Sequence, residues 1–105
     1  MADRVDAAWA GLRDCLDARS HALQDEVRTY PTPIARCDEQ LTHVIERRDT
    51  AFRQLRAAAE LDGIRAAVAS REWRSRLRDF AASLDPADDP ILAAQRARLV
   101  AALAD

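Results

Sequence analysis

Lysine is missing from this sequence, although the chain carries 16 arginines in 105 residues. We attribute the exclusive use of arginine first to a codon bias and not to a chemical requirement. An excess of positive charge is missing too, because the formal net charge is −2. Nucleic acids and anionic membranes attract a net or clustered positive field, so we predict no nucleic-acid partner and no membrane partner.

Glycine, proline and aromatic residues are also scarce, with two, four and five copies respectively. Alanine alone contributes 23 residues, and Ala, Leu, Arg, Glu and Gln are strong helix formers. Strands would need more Val, Ile and Thr than the chain has. A chain of this length forms one domain. We therefore predict a single all-α domain over residues 1–105, with a thin core of leucine and alanine.

No hydrophobic run is long enough to cross a membrane, and the N-terminus leads directly into an amphipathic pattern instead of a signal peptide. These features predict a cytoplasmic protein. Its two cysteines, Cys15 and Cys37, would lie roughly 16 Å apart in the hairpin predicted below, too far for an intrachain disulfide. Two packed thiols fit a reducing compartment.

Apolar periodicity and capping signals predict an antiparallel helical hairpin that extends to a bundle of three or four helices. The predicted helices cover residues 3–28, 34–61, 64–84 and 90–104. Thr32 and Pro33 suit the N-cap and first position of the second helix, and two Asp-Pro steps in 85–90 separate the last two. In this hairpin Trp9 would lie opposite residues 52–55.

Gly63 leaves the connection between the second and third helices open. Glycine suits the left-handed position just past a helix, which favours a turn into a third helix. However, no capping residue follows, and the apolar register continues across Gly63. A glycine inside a helix costs only about 1 kcal/mol, so one long helix that spans Gly63 is the alternative.

The third helix and its approach carry more apolar side chains than a thin core accommodates. Two patches would face different sides, and contiguous exposed apolar patches mark interfaces. We therefore predict that these residues bind another protein or a second copy of the chain: Leu61, Ile64, Val68, Trp73, Leu77, Phe80 and Leu84.

Two arginines are candidates for a binding site. Arg48 lies alone in the middle of the apolar face of the second helix, and Arg19 lies near the edge of the first helix's stripe, about one turn away across the hairpin. Guanidinium groups this close repel unless carboxylates or a bound anion neutralise them. A carboxylate or phosphate ligand would supply bidentate hydrogen bonds. Alternatively, Arg48 reaches the surface or pairs with an acidic side chain.

Five residues share one face of the predicted second helix: Asp38, Leu41, Val44, Ile45 and Arg48. Over residues 38–48 this spacing resembles the first helix of the all-helical chorismate mutases. The resemblance implies an active-site role for Arg48. The resemblance stops there, because the family has an arginine where this chain has Pro31 and a lysine where it has Ala59. Chorismate-mutase-like activity is kept as an alternative function.

The remaining candidates have simpler interpretations. His21 and His43 are level in the predicted hairpin and have carboxylates nearby, which could bind a metal ion. Both lie on the outer faces, so we interpret them as surface residues. We predict no metal and no cofactor. Cys37 lies on the apolar stripe as a packed thiol. The arginines of 71–78 are spread around their helix and favour a solvated surface.

We therefore predict a non-catalytic protein–protein interaction module, such as an accessory subunit, regulator or assembly factor, that is at least a homodimer. The alternative is a bundle that uses Arg19 and Arg48 to bind an anionic metabolite.

Overall fold

The computed structural model describes residues 3–30, 38–86 and 89–104. Within them the chain forms four α-helices and one short 3-10 turn and no strand, which confirms the all-α fold. The helices are α1 (Arg4–Arg28), α2 (Asp38–Ile64), α3 (Ser70–Ser83) and α4 (Pro90–Ala104), and the 3-10 turn covers Arg65–Ala67. The predicted turn around Pro31 and Pro33 lies outside the described residues.

α1 begins and packs as its sequence predicts. The side chain of Asp3 accepts a hydrogen bond from the backbone N–H of Val5 at 3.2 Å and so caps the helix. The apolar side chains that recur at helical spacing along α1 are buried at five positions, while Asp14, Asp17 and Asp25 on the opposite side are exposed. The buried members of the stripe are Val5, Trp9, Leu12, Leu16 and Leu23.

α4 also begins where the Asp-Pro step predicts. Asp89 Oδ1 accepts hydrogen bonds from the N–H groups of Ile91 and Leu92, at 3.0 and 3.1 Å, and Pro90 is the first helical residue. The helix runs antiparallel to α1, because Asp89 lies near Arg19 and Gln95 lies near Gly11. It also runs antiparallel to α3, because Arg96 donates to the carbonyl of Ala81 and Arg78 donates to the carbonyl of Leu103.

The register of the α1–α2 hairpin differs from the prediction. Trp9 Nε1 donates to Asp62 Oδ1 at 2.8 Å, and Arg48 lies beside Gln24, at 3.5 Å. Trp9 is therefore opposite Asp62 instead of residues 52–55, a shift of about two helical turns along α2. The predicted register requires a tight turn at Pro31–Pro33. In the two observed contacts, the midpoint in sequence between the paired residues lies several residues after these prolines.

Gly63 neither stops α2 nor continues it into a long helix. It lies inside α2 with a φ outside the left-handed region, and a Cβ placed there would meet nothing within 4 Å. The helix ends one residue later, and the break follows at Val68 and Ala69, whose backbones are extended (ψ 157° and 151°). The predicted turn between the second and third helices is present, but α3 begins at Ser70 instead of residue 64.

This break brings the predicted interface residues into the core. Trp73, Leu77 and Leu84 are only 4%, 0% and 3% exposed. Leu61, Val68 and Phe80 are half-buried and pack against the same core cluster, and Ile64 is half-buried as well. The expectation that Trp73, Leu77 and Leu84 form an exposed face is wrong. α3 folds back over Trp9, so side chains from both predicted patches pack against the same core.

Candidate functional site

A polar cavity lies between the middle of α1, the N-terminal half of α2 and the end of α3. Its volume is about 560 Å³, within the range of small-molecule sites in proteins. Nearly every side chain around it is polar or charged. The lining residues are Arg19, His43, Glu46, Arg47, Thr50, Gln54, Ser83 and Asp85.

Arg19 is a largely buried charged group of this cavity. Its side chain is 11% exposed, and its Nη1 atom is buried without a hydrogen-bond partner. The nearest carboxylate oxygen, Asp89 Oδ2, is 3.8 Å away, and the other oxygen of that carboxylate caps α4. A buried donor left unpaired typically costs about 1–3 kcal/mol, so Arg19 has unused capacity for an acceptor.

Two further side chains give the cavity its chemistry. Arg47 lines the same cavity as Arg19, and so does Gln54, whose Oε1 atom is itself buried without a hydrogen-bond partner. Glu46 and Asp85 balance the two guanidiniums of the lining, and Asp89, 3.8 Å from Arg19 Nη1, adds a further negative charge beside them. The cavity therefore offers two guanidinium groups to an anionic group, with carboxylates close by.

A smaller groove of about 370 Å³ adjoins the cavity and shares Arg19 and Arg47 with it. Its floor is apolar, formed by Ala18, Ala22, Leu23 and Ile91. Cys15 lines the groove as well, and burial raises the pKa of its thiol, as does the nearby charge of Asp89, while Arg19 opposes the rise. The thiol therefore stays neutral at physiological pH and is a poor nucleophile.

Arg48, the predicted partner of Arg19, is not part of this site. Its guanidinium donates to Asp49 Oδ1 at 3.1 and 3.2 Å and lies 3.5 Å from Gln24 Oε1. Arg19 lines a cavity with Arg47 instead. Arg48 points away from this cavity, because the side chains of adjacent helix residues point about 100° apart. Sequence reasoning missed Arg47, since it lies off the apolar stripe; the only available signal was the Arg47-Arg48 pair itself.

The other predicted site residues are not brought together. Exposed His21 lies 3.6 Å from Asp17, whereas His43 lines the polar cavity. Within the described ranges, no three His, Cys, Asp or Glu side chains form a group that would hold a metal ion. Cys37 lies outside those ranges, and so does the side chain of Asp38, on which the chorismate-mutase resemblance depends.

The outer face of α4 is the second notable surface. Ile91 and Val100 are 67% and 48% exposed and lie on the two edges of a row of exposed alanines, which are Ala94, Ala97, Ala101 and Ala104. Arg98 is the one exposed charge of the described helix. Small side chains of this kind let a second helix approach closely.

None of the described helices has both the length and the apolar character of a membrane span. No protein-family model, no curated protein and no solved structure matches the chain.

Proposed function

We propose that the chain is a non-catalytic helical bundle that binds a small molecule through an anionic group of that molecule. The observation that carries the proposal is Arg19, whose buried Nη1 has no hydrogen-bond partner beside a cavity of ligand size. An anionic group in the cavity would lie in the field of Arg19, and Arg47 would supply a second guanidinium. The proposal keeps Arg19 from the sequence-based anion hypothesis and replaces Arg48 by Arg47.

The Cys15 thiol in the adjoining groove is a poor nucleophile, because burial raises its pKa, and this favours binding over thiol-based catalysis. The acidic groups of the cavity, Glu46 and Asp85, favour a singly charged anionic group over a polyanion such as a nucleotide. A second phosphate would lie close to a carboxylate and lose Coulomb energy there.

Thermal unfolding in the presence of small anions tests this function. A ligand that binds only the folded chain at ten times its Kd stabilises it by about 1.4 kcal/mol, which raises the Tm by roughly 5–10 °C for a domain of this size. We expect such a shift from at least one monocarboxylate, dicarboxylate or phosphate at constant ionic strength.

The half-buried Arg47 gives the test variant, because Arg47→Gln should abolish the shift while leaving the fold intact. Arg48→Gln is the matched control, since the neighbouring guanidinium lies outside the cavity, and it should leave the shift unchanged. The absence of any anion-dependent shift in the native chain would end the proposal.

A second candidate function is association with another copy of the chain, the role predicted from the sequence but on a different surface. The outer face of α4 supports it, because Ile91 and Val100 flank a row of exposed alanines. Arg98, the exposed charge of this helix, lies against Gly11 of α1 in its own chain and leaves the row of alanines free of charge. An antiparallel pairing of two α4 helices would pack the row of alanines of one copy against that of the other.

Because one helix face buries less than the roughly 1,600 Å² of a standard interface, we expect a weak dimer with a Kd in the micromolar range or above. Sedimentation velocity over a wide range of concentrations measures it. Ala97→Glu, in the centre of the row, should weaken the dimer by about tenfold or more. Ala59→Glu introduces the same charge at an exposed alanine of α2 and should have no effect. A native chain that stays monomeric throughout would contradict this role.

A further inference from the structure

Arg47 is the accessible arginine of the candidate site. Its side chain is half-buried and lines both the polar cavity and the adjoining groove of about 370 Å³. Over the part of the chain that the structure describes, no acceptor forms a hydrogen bond or an ion pair with its guanidinium. Arg19, by contrast, is largely buried and has Asp89 beside it. Arg47 is therefore the group that an anion would contact directly.

Arg47 also marks one end of the groove. Its neighbour Arg48 lies 3.5 Å from Gln24, so Arg47 is level with the last third of α1. Two exposed carboxylates, those of Glu26 and Glu46, belong to the linings at this end. They favour a ligand head group with a single negative charge, because a second charge would be repelled by them.

The other end of the groove is apolar. Asp89 lies near Arg19 and α4 runs antiparallel to α1, so Ile91 is level with the part of α1 that precedes Arg19, where Cys15 lies. Ile91 is 67% exposed, the largest exposed fraction among the big apolar side chains of the described ranges. A ligand that covers this side chain removes apolar surface from water.

Small side chains connect the two ends. Ala18 and Ala22 are exposed and form the floor of the groove together with Leu23. From Ala22 to Cys15 the groove follows α1 for seven residues, about 10 Å. An extended carbon chain advances about 1.2 Å per bond, so roughly eight bonds cover this distance.

From this arrangement we infer that the ligand is an unbranched aliphatic monocarboxylate of about six to eight carbons. The inference rests on the proposed function and adds the apolar part of the ligand. The carboxylate accepts hydrogen bonds from Arg47 in the field of Arg19. The chain lies over Ala18 and Ala22 and reaches Ile91, and each methylene group that it buries adds to the affinity.

Titration of the full chain with monocarboxylates of increasing length tests the inference. The probes are butanoate, hexanoate and octanoate, with 1-hexanol as an uncharged analogue of hexanoate. NMR titration at neutral pH and constant ionic strength gives a Kd for each probe. A methylene group lowers the Kd about fourfold when it is fully buried and about twofold when it is half-buried. We therefore expect octanoate to bind about tenfold tighter than butanoate or better, and hexanoate to bind about tenfold tighter than 1-hexanol.

Two pairs of variants locate the aliphatic chain. Ile91→Ala removes the apolar end and should weaken octanoate about threefold or more, with the Kd of butanoate unchanged. Val100→Ala is the matched control, because Val100 is an exposed branched residue of the same helix outside the groove. Ala18→Gln fills the middle of the groove and should remove most of the dependence on chain length. Ala7→Gln, at another exposed alanine of α1, should preserve that dependence.

Other outcomes separate this inference from the function on which it rests. If the three carboxylates bind equally and Arg47→Gln abolishes their binding, the anion site stands and the aliphatic chain is wrong. A dependence on chain length that survives both Ala18→Gln and Ile91→Ala would place the chain elsewhere and overturn the inference. It would also fail if 1-hexanol bound as tightly as hexanoate. The absence of binding by every carboxylate and by phosphate would overturn the proposed function as well.

Discussion

Replacement of Leu77 by aspartate is expected to leave the chain unfolded under conditions in which the native sequence is folded. Leu77 is fully buried in the core cluster that α1, α3 and α4 share. Loss of the leucine side chain costs about 2–5 kcal/mol, and burial of a carboxylate without a partner adds several more. A domain of this size has a net stability of only about 5–15 kcal/mol, so the substitution removes most or all of it.

Far-UV circular dichroism and urea unfolding measure this effect. Leu77→Ala separates the packing loss from the cost of the charge and should lower the free energy of unfolding by about 2–5 kcal/mol. Ile91→Asp is the matched control, because Ile91 is exposed in the first turn of α4, where a carboxylate is favourable. If the Leu77→Asp chain stayed folded and lost only its self-association, Leu77 would be an interface residue, as the sequence predicted.

Local signals predicted the helices with clear ends. Asp3 at the start of α1 and the Asp89-Pro90 step at the start of α4 act through side chains within three residues, so the sequence contains the whole interaction. The apolar stripe of α1 is equally local, because its period alone shows which side chains share a face. The fold class and two of the four helices follow from information of this kind.

The α1–α2 register could not be obtained in the same way. It depends on the path of the connection, and an amphipathic helix can slide by one or two turns and still present an apolar face. The observed register is fixed by specific long-range contacts, above all the hydrogen bonds of Trp9 and Arg13 to Asp62. No local pattern shows that Asp62 is the acceptor for residues about 50 positions away.

The break before α3 has no local signal either. Ala69 occupies the N-cap position without a side-chain hydrogen bond, and Gly63, the most obvious helix breaker, lies inside α2. We attribute the break to tertiary packing, because the turn lets Trp73 and Leu77 reach the core beside Trp9. Burial of two such side chains contributes several kcal/mol, more than a missing cap costs.

Only part of the candidate site could be predicted from the sequence. Arg19 is recognisable, because a charged residue at the edge of an apolar stripe needs a partner. Arg47 and Gln54 belong to the polar side of α2, where charged and amide side chains are common and carry no signal of their own. Only the structure brings them together with Arg19 and reveals that Gln54 Oε1 is buried without a donor.

The second large effect is expected at Trp9, which organises the aromatic part of the core. Its ring makes edge-to-face contacts with Trp73 and Phe80, at centroid distances of 6.1 and 5.6 Å, and its Nε1 donates to Asp62 at 2.8 Å. Trp9→Ala should lower the free energy of unfolding by about 3–5 kcal/mol. Trp9→Phe keeps an aromatic ring and should cost about 1.5–3 kcal/mol, since it removes a hydrogen bond to a charged acceptor.

Trp73 provides the comparison that isolates this hydrogen bond. Trp73 is also buried and aromatic, but its Nε1 has no hydrogen-bond partner. Trp73→Phe therefore removes an unsatisfied donor along with some apolar area, and these two effects partly cancel. Urea unfolding should give a smaller loss for Trp73→Phe than for Trp9→Phe, by about 1 kcal/mol or more. Equal losses would mean that the bond to Asp62 contributes nothing, and a double-mutant cycle of Trp9→Phe with Asp62→Asn would then give no coupling.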